Sequence, residues 1–375
     1  MRGALARADD NGASCDGRPT KKCTPQCLLC CAWWCACALF HPPARAAMAS
    51  TPPARVRIAV WGCGHGELDR VYASCAAAEA AAGDGVPISL LLCCGDFQCA
   101  RTVEDLDSME CPPKYKAMHT FHKYYSGERR APIPTLFIGG NHEAMAHLLE
   151  LPYGGWVAPN MFFLGNSGVV QCEGLRIGGL SGIFNGGHYN TGYFERKPLM
   201  APGDRRSAYH SRAFEYFKLH SLTGGMDVFM SHDWPEGVYN HGDAARLVQR
   251  KPHFREDMQR SDLGSSPSMV LLQHLQPAFW FSAHLHTKFP AIVPHHATGG
   301  ATRFLSLDKC LPGRDFLQVL DIPLRAGGMF LATLTAQPHA HCTPNPPKKR
   351  APQPPLIVTR HHVRLDCHAG THVCV

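Results

Sequence analysis

The chain has 375 residues, 45% of them hydrophobic, and carries a formal net charge of +7. That length allows one large or two ordinary domains with a sizeable buried core, and the moderate basic excess suits an anionic partner such as nucleic acid without requiring one. The spread of the eighteen cysteines speaks against a disulfide framework, since seven lie before residue 48 and three after residue 340. The remaining eight, Cys63, Cys75, Cys93, Cys94, Cys99, Cys111, Cys172 and Cys310, fall partly in apolar runs, where free cysteine acts as a small hydrophobe, and a reducing compartment is expected.

In chain order, the first feature is an apolar stretch of 14 residues at 27–40, too short to span a bilayer. It follows Lys21-Lys22 and precedes "ARA" at 44–46, so it imitates a signal peptide. The alternative, preferred here, is that the working protein starts at Met48 and that residues 1–54 form a low-complexity, cysteine-rich extension. No membrane association is expected.

From residue 55 strand-like and helix-like stretches alternate, which points to an α/β architecture. "VRIAV" (56–60) leads into an alanine-rich helical pattern at 67–82, and "ISLLLCC" (88–94) reads as a buried strand. Further strands are expected at 135–140, 175–182, 226–232, 278–284, 302–308 and 315–322, with helices near 114–125, 207–222 and 266–276. Beyond residue 323, proline, glycine and histidine accumulate without periodicity, so 324–375 is expected to be a flexible tail. It holds Lys348-Lys349-Arg350, which reads either as a weak nuclear-import patch or as solvated charge.

The informative pattern is where metal-capable residues fall. Cys63 and His65 follow the first strand, Asp96 the second, Asn141 and His142 the third, and His232, His284 and His286 two later strands. Each group stands at a strand's C-terminal end, where open α/β sheets place ligands. Taken singly, Cys63 is as well read as a core thiol and a lone histidine as a structural residue; five groups at one topological position point to a shared site. Imidazoles suit zinc, iron and manganese, and a carboxylate can bridge two cations about 3.5–4 Å apart. Such a pair holds and acidifies a water aimed at an electrophile, and phosphoryl groups are its natural substrate.

These residues resemble the signature of the calcineurin-like metallophosphoesterases: Cys63-x-His65, Gly95-Asp96, Gly140-Asn141-His142-Glu143, His232 and Ala283-His284-x-His286. Two positions depart from it, with cysteine for the first aspartate and alanine for the last glycine. The cysteine, and segments such as "LLLCCGDFQ", "TLFIGGNHEA", "SHDWP" and "FWFSAHLHTKF" in order, resemble the RNA lariat debranching enzymes of that superfamily over about residues 55–322. The resemblance implies a β-sandwich of two mixed sheets flanked by helices, with a catalytic domain at 55–323.

It further implies one ion on Cys63, His65, Asp96 and His286 and a second on Asp96, Asn141, His232 and His284, with Asp96 as the bridge. Two divalent ions, iron(II), zinc or manganese, are the implied cofactors. Hydrolysis of the 2′–5′ phosphodiester of a branched intron by a metal-held hydroxide, with His142 as general acid, is the implied reaction, and a nuclear location goes with it. The implied substrate is branched lariat RNA, read by a loop at about 181–211. Within 181–217 aromatics interleave with cations, and Tyr189, Tyr193, Arg205, Arg206 and Tyr209 are candidate RNA contacts, core packing with solvated arginines being the other reading. The resemblance does not extend into 324–375. Another phosphoester substrate, or a non-catalytic RNA-binding form, are the alternative functions.

Overall fold

The computed structural model describes residues 54–199 and 201–325. Most of the expected N-terminal extension, nearly all of the expected tail and the Lys348-Lys349-Arg350 patch lie outside them. Among the described residues the strands are, in chain order, β1 (Arg55–Trp61), β2 (Leu90–Cys93), β3 (Thr135–Phe137), β4 (Gly155–Ala158), β5 (Met161–Phe163), β6 (Ser167–Cys172), β7 (Leu175–Leu180), β8 (Val228–Ser231), β9 (Phe279–Ser282), β10 (Phe289–His295), β11 (Gly300–Ser306) and β12 (Leu317–Pro323).

They form two mixed sheets of the same plan. The first has the order β12-β1-β2-β3-β5-β4 and the second β10-β11-β9-β8-β7-β6. In each, four strands run parallel and an antiparallel strand closes either edge. The fold is thus α/β, with the two mixed sheets and flanking helices that the sequence implied.

Side-chain alternation explains how the strands can be apolar throughout. Ile58, Val60, Leu90, Leu92 and Leu136 point to a core shared with Ile177, Val228, Met230 and Phe281 of the second sheet. Ala59, Trp61, Leu91 and Cys93 point the other way, under the helix Leu68–Ala82 and its neighbours. A third core under the second sheet's outer face holds Phe229, Trp280 and Phe304 against the helix Ser266–Leu275. Both faces of the central strands are therefore buried, and their C-terminal ends open on one side.

Two expected helices are shorter than their pattern. Residues 114–125 yield a single turn at Pro113–Tyr115 and a helix at Phe121–Tyr125, because His119 takes a left-handed φ of 45° between them. Residues 207–222 divide into Pro202–Ala208 and Ala213–His220. Between these, Arg212 is extended and its guanidinium is buried against Glu195 at 2.6 Å, a pairing that a continuous helix would not allow. No described helix is long and apolar enough to cross a membrane.

Candidate metal centre

The seven candidate ligands come together at the strand ends of both sheets. Cys63 and His65 follow β1, Asp96 follows β2 and Asn141 follows β3; His232 directly follows β8, and His284 and His286 follow β9. Cys63, His65, Asp96 and His286 each offer one ligand atom, and these atoms lie within 4.8 Å of one another. The Nε2 atoms of His65 and His286 face each other at 3.4 Å, and His65 Nε2 is 3.6 Å from Asp96 Oδ2.

A second group adjoins the first. Asn141 Oδ1 lies 3.1 Å from His232 Nε2 and 3.0 Å from His284 Nδ1, and His232 Nε2 is 3.4 Å from Asp96 Oδ1. One oxygen of Asp96 thus faces each group, the arrangement a bridging carboxylate needs.

Local geometry is arranged around this convergence. His65, Asp96, His284 and His286 adopt left-handed φ values of 47°, 52°, 61° and 50°. Such backbone costs about 1–3 kcal/mol per non-glycine residue, and it gathers where a site is held by its surroundings. Gly95 and Gly140 permit the close packing: a Cβ on either would stand 2.3 Å from His232 Nδ1 or from Asp96 Oδ1 respectively. His232 Nδ1 is 2.7 Å from the Cys94 carbonyl, so its proton sits there and Nε2 is left as the free lone pair.

Electrostatics match a cation-binding role. Burial lowers the imidazoles, His232 to about 4 and His286 to about 3, with His65 shifted the same way, so all three are neutral near pH 7. Burial pushes the Cys63 thiol well up, and the Asp96 charge adds to it. Burial also works to raise Asp96, but facing His232, His65 and His142 and the His142 N–H hold it below the usual carboxylate range. Asp96 Oδ2 is nonetheless buried with no hydrogen-bond partner. An orphaned carboxylate oxygen is costly, and together with thiol, amide and imidazole donors it is the environment a divalent cation would satisfy. The residues present therefore fit a metal pair.

His142 is placed beside the ligands. Its N–H donates to Asp96 Oδ1 at 2.8 Å, its ring centroid is 5.7 Å from that of His65, and its Nδ1 is buried without a partner.

Several supporting residues escaped sequence reading. The buried Glu143 carboxylate accepts the N–H groups of Phe97 and Gln98, each at 2.7 Å, and of Gly140 at 3.0 Å, tying the Asp96 loop to the Asn141 loop. Burial, then the Asp96 charge, raises it to about 8 against the lowering effect of those bonds. The Gln98 amide lies 3.2 Å from His65 Nδ1 and fixes that ring. Glu143 stands in a quoted motif, but only the folded loops reveal what it holds.

The candidate RNA contacts occupy the neighbouring 181–211 segment, whose Gly182 N–H donates to the Gly139 carbonyl at 2.8 Å. Tyr193 is 39% exposed, and with Tyr209 it lines a small cavity that includes Gly139 and Gly140. Tyr189 packs its ring against Phe184 and Tyr216. Arg205 and Arg206 both pair with Glu110 at 2.9 Å, so part of their charge is compensated on the protein.

With this geometry in view, the comparisons with known proteins are specific. A family model described as "Lariat debranching enzyme, C-terminal domain" matches residues 299–350, from the start of β11 across the boundary expected at 323. The chain is 54% identical over 272 residues to the lariat debranching enzyme of Mus musculus, covering 71% of this chain and 49% of that protein. For the zebrafish Danio rerio enzyme the values are 51% over 276 residues, 72% and 48%, and for that of Arabidopsis thaliana 50% over 272 residues, 72% and 64%. The chain spans about half the length of the curated animal relatives it matches, and over some 71–72% of its own length it is similar to lariat debranching enzymes, the resemblance its motifs carried.

Proposed function

We propose that this chain hydrolyses the 2′–5′ phosphodiester at the branch point of lariat RNA, using two divalent cations. The observation that carries the reading is the pair of ligand groups sharing Asp96, with Cys63 at the position that separates debranching enzymes from other phosphoesterases. Cys63, His65, Asp96 and His286 would hold one ion, and Asp96, Asn141, His232 and His284 the other. A thiolate is a soft ligand, which favours iron(II) or zinc at the first site over magnesium, with manganese the remaining candidate. When bound, such ions supply Lewis-acid polarisation of the phosphoryl group and an acidified water.

The chain's own residues do the rest. Asp96, buried and acceptor-only, fixes the spacing of the two groups, and Glu143 fixes the loops that carry them. His142 gives a proton to the departing 2′-oxygen, which is a poor leaving group as an alkoxide. The 181–211 loop, placed beside Gly139 and Gly140, holds the branched RNA, and an intron substrate puts this work in the nucleus.

A synthetic branched RNA assayed beside a linear 3′–5′ RNA of the same composition tests the reading. The full chain, loaded with iron(II) or zinc, is expected to cut the branch and spare the linear strand. Equal cleavage of both would assign a broader phosphoesterase, and binding of both without cleavage would assign a non-catalytic RNA-binding form. Imaging of the tagged full chain checks the nuclear placement, and a purely cytoplasmic signal would contradict it.

A further inference from the structure

Among the large aromatic side chains that stand in solvent beyond the metal centre and the 181–211 loop are Tyr153 (77% exposed), Phe214 (49%) and Phe217 (57%). Phe214 and Phe217 are one turn apart on the helix Ala213–His220. Lys218 Nζ lies 5.7 Å from the Tyr153 ring centroid and 5.2 Å from that of Phe214, joining rings from two parts of the chain into one patch.

The lysine is held in place from beneath. Its ammonium pairs at 2.6 Å with the buried Glu215 carboxylate, which also accepts the Ser167 hydroxyl at 2.5 Å. The acid is inside, and the half-buried lysine lies between the rings with part of its charge compensated by Glu215. Tyr216 of the same helix packs its ring against Tyr189, 5.6 Å between centroids, so the helix that carries the patch adjoins the 181–211 loop.

Exposed aromatic rings cost free energy in water, and a contiguous set of them marks a binding surface. The composition decides which kind. The core of a protein-docking patch is depleted in charge, whereas a lysine set among exposed rings suits stacked bases with phosphates between them. A branched RNA sends three strands away from one nucleotide, so an enzyme that holds the branch at the strand ends must lead at least one arm over its surface.

We propose that Tyr153, Phe214, Phe217 and Lys218 form a stacking platform for one single-stranded arm of the branched RNA. This rests on the debranching reading and extends it to residues outside the loop. The platform is tolerant of sequence, because every base offers a ring face.

The test uses the full chain, a Tyr153→Ala/Phe217→Ala double variant, and branched RNAs with arms of one or about ten nucleotides. Alongside, fluorescence anisotropy measures binding of a linear ten-nucleotide uridine strand. Loss of stacking is expected to weaken the linear strand and raise KM for the long-armed branch about tenfold, with kcat kept, and to change the short-armed branch by less than about twofold. Phe217→Trp is expected to retain binding and Phe217→Leu to weaken it, by less than the double variant does. Equal effects on both arm lengths, unchanged affinity for the uridine strand, or a dimer in sedimentation that the double variant dissolves would overturn the platform. If the wild-type chain cuts neither branch, the debranching reading fails, while the uridine strand still decides whether the surface binds RNA.

Discussion

The metal centre and the 181–211 loop touch through Gly182 and Gly139, yet they are held by different forces. Around the ligands, position comes from strand ends, from left-handed backbone at four residues and from buried backbone hydrogen bonds to Glu143. In the loop it comes largely from ion pairs near the surface: Lys197 with Glu150 at 2.8 Å, and Arg205 and Arg206 with Glu110. Arg212 with Glu195 is the buried exception. Screened ion pairs are weak and adjustable, whereas strained turns pinned by buried hydrogen bonds are not. The proposed chemistry thus falls to the rigid part, and the loop proposed to hold a branched RNA is kept in place by contacts that can yield.

This contrast can be broken from either side. The largest effect is expected for His142→Ala, on the order of 10²–10⁴-fold in debranching rate, since it removes the proposed proton donor. Bound metal should stay the same in that variant; metal loss measured with the rate would make His142 a ligand and contradict the assignment. Next comes Glu143→Gln, which changes no candidate ligand but weakens the tie between two ligand loops. Outer contacts of this kind are worth about 10–100-fold in metal affinity, read by competition with a chelator. Unchanged affinity would mean that the strand ends alone fix the site.

A pH test separates the loop from the centre. His188 Nδ1 and His210 Nδ1 lie 2.7 Å apart, and burial, His188 and Arg212 together lower His210 from its ordinary 6.5 to about 4, against the raising effect of Glu195. Between those values the unfolded chain binds a proton that the folded loop does not, so stability present above pH 6.5 is lost as the pH falls towards about 4. Protection of the 181–211 amides from hydrogen exchange, taken relative to the intrinsic rate at each pH, is expected to fall in that window, and His210→Gln to flatten the response. The smallest effect belongs to Glu110→Gln, below about 1 kcal/mol in stability, with a KM for branched RNA that grows more sensitive to salt.

What could be read in advance divides along the same line. All the candidate ligands were visible because each follows an apolar strand, and strand ends converge whatever the loops do. Glu143, Gln98 and the Cys94 carbonyl were not, because their partners lie on other loops and carry no periodic signal. The short strands β4 and β5 and the edge strand β10, interrupted by Pro290 and Pro294, also lack the length or pattern that marks a strand. In the loop, composition suggested aromatics and cations for RNA, but it could not show Tyr189 packed against Tyr216 or two arginines sharing Glu110. Nor could it pair Tyr153 with Phe214, some sixty residues apart in sequence and joined only by Lys218.

The central claim is that Asp96 joins two cation sites, and counting bound ions tests it most directly. Elemental analysis of the full chain beside Asp96→Asn is predicted to find two divalent ions per chain in the first and a loss of at least one in the second. A single ion in the wild-type chain, or two retained without the Asp96 carboxylate, would contradict the account.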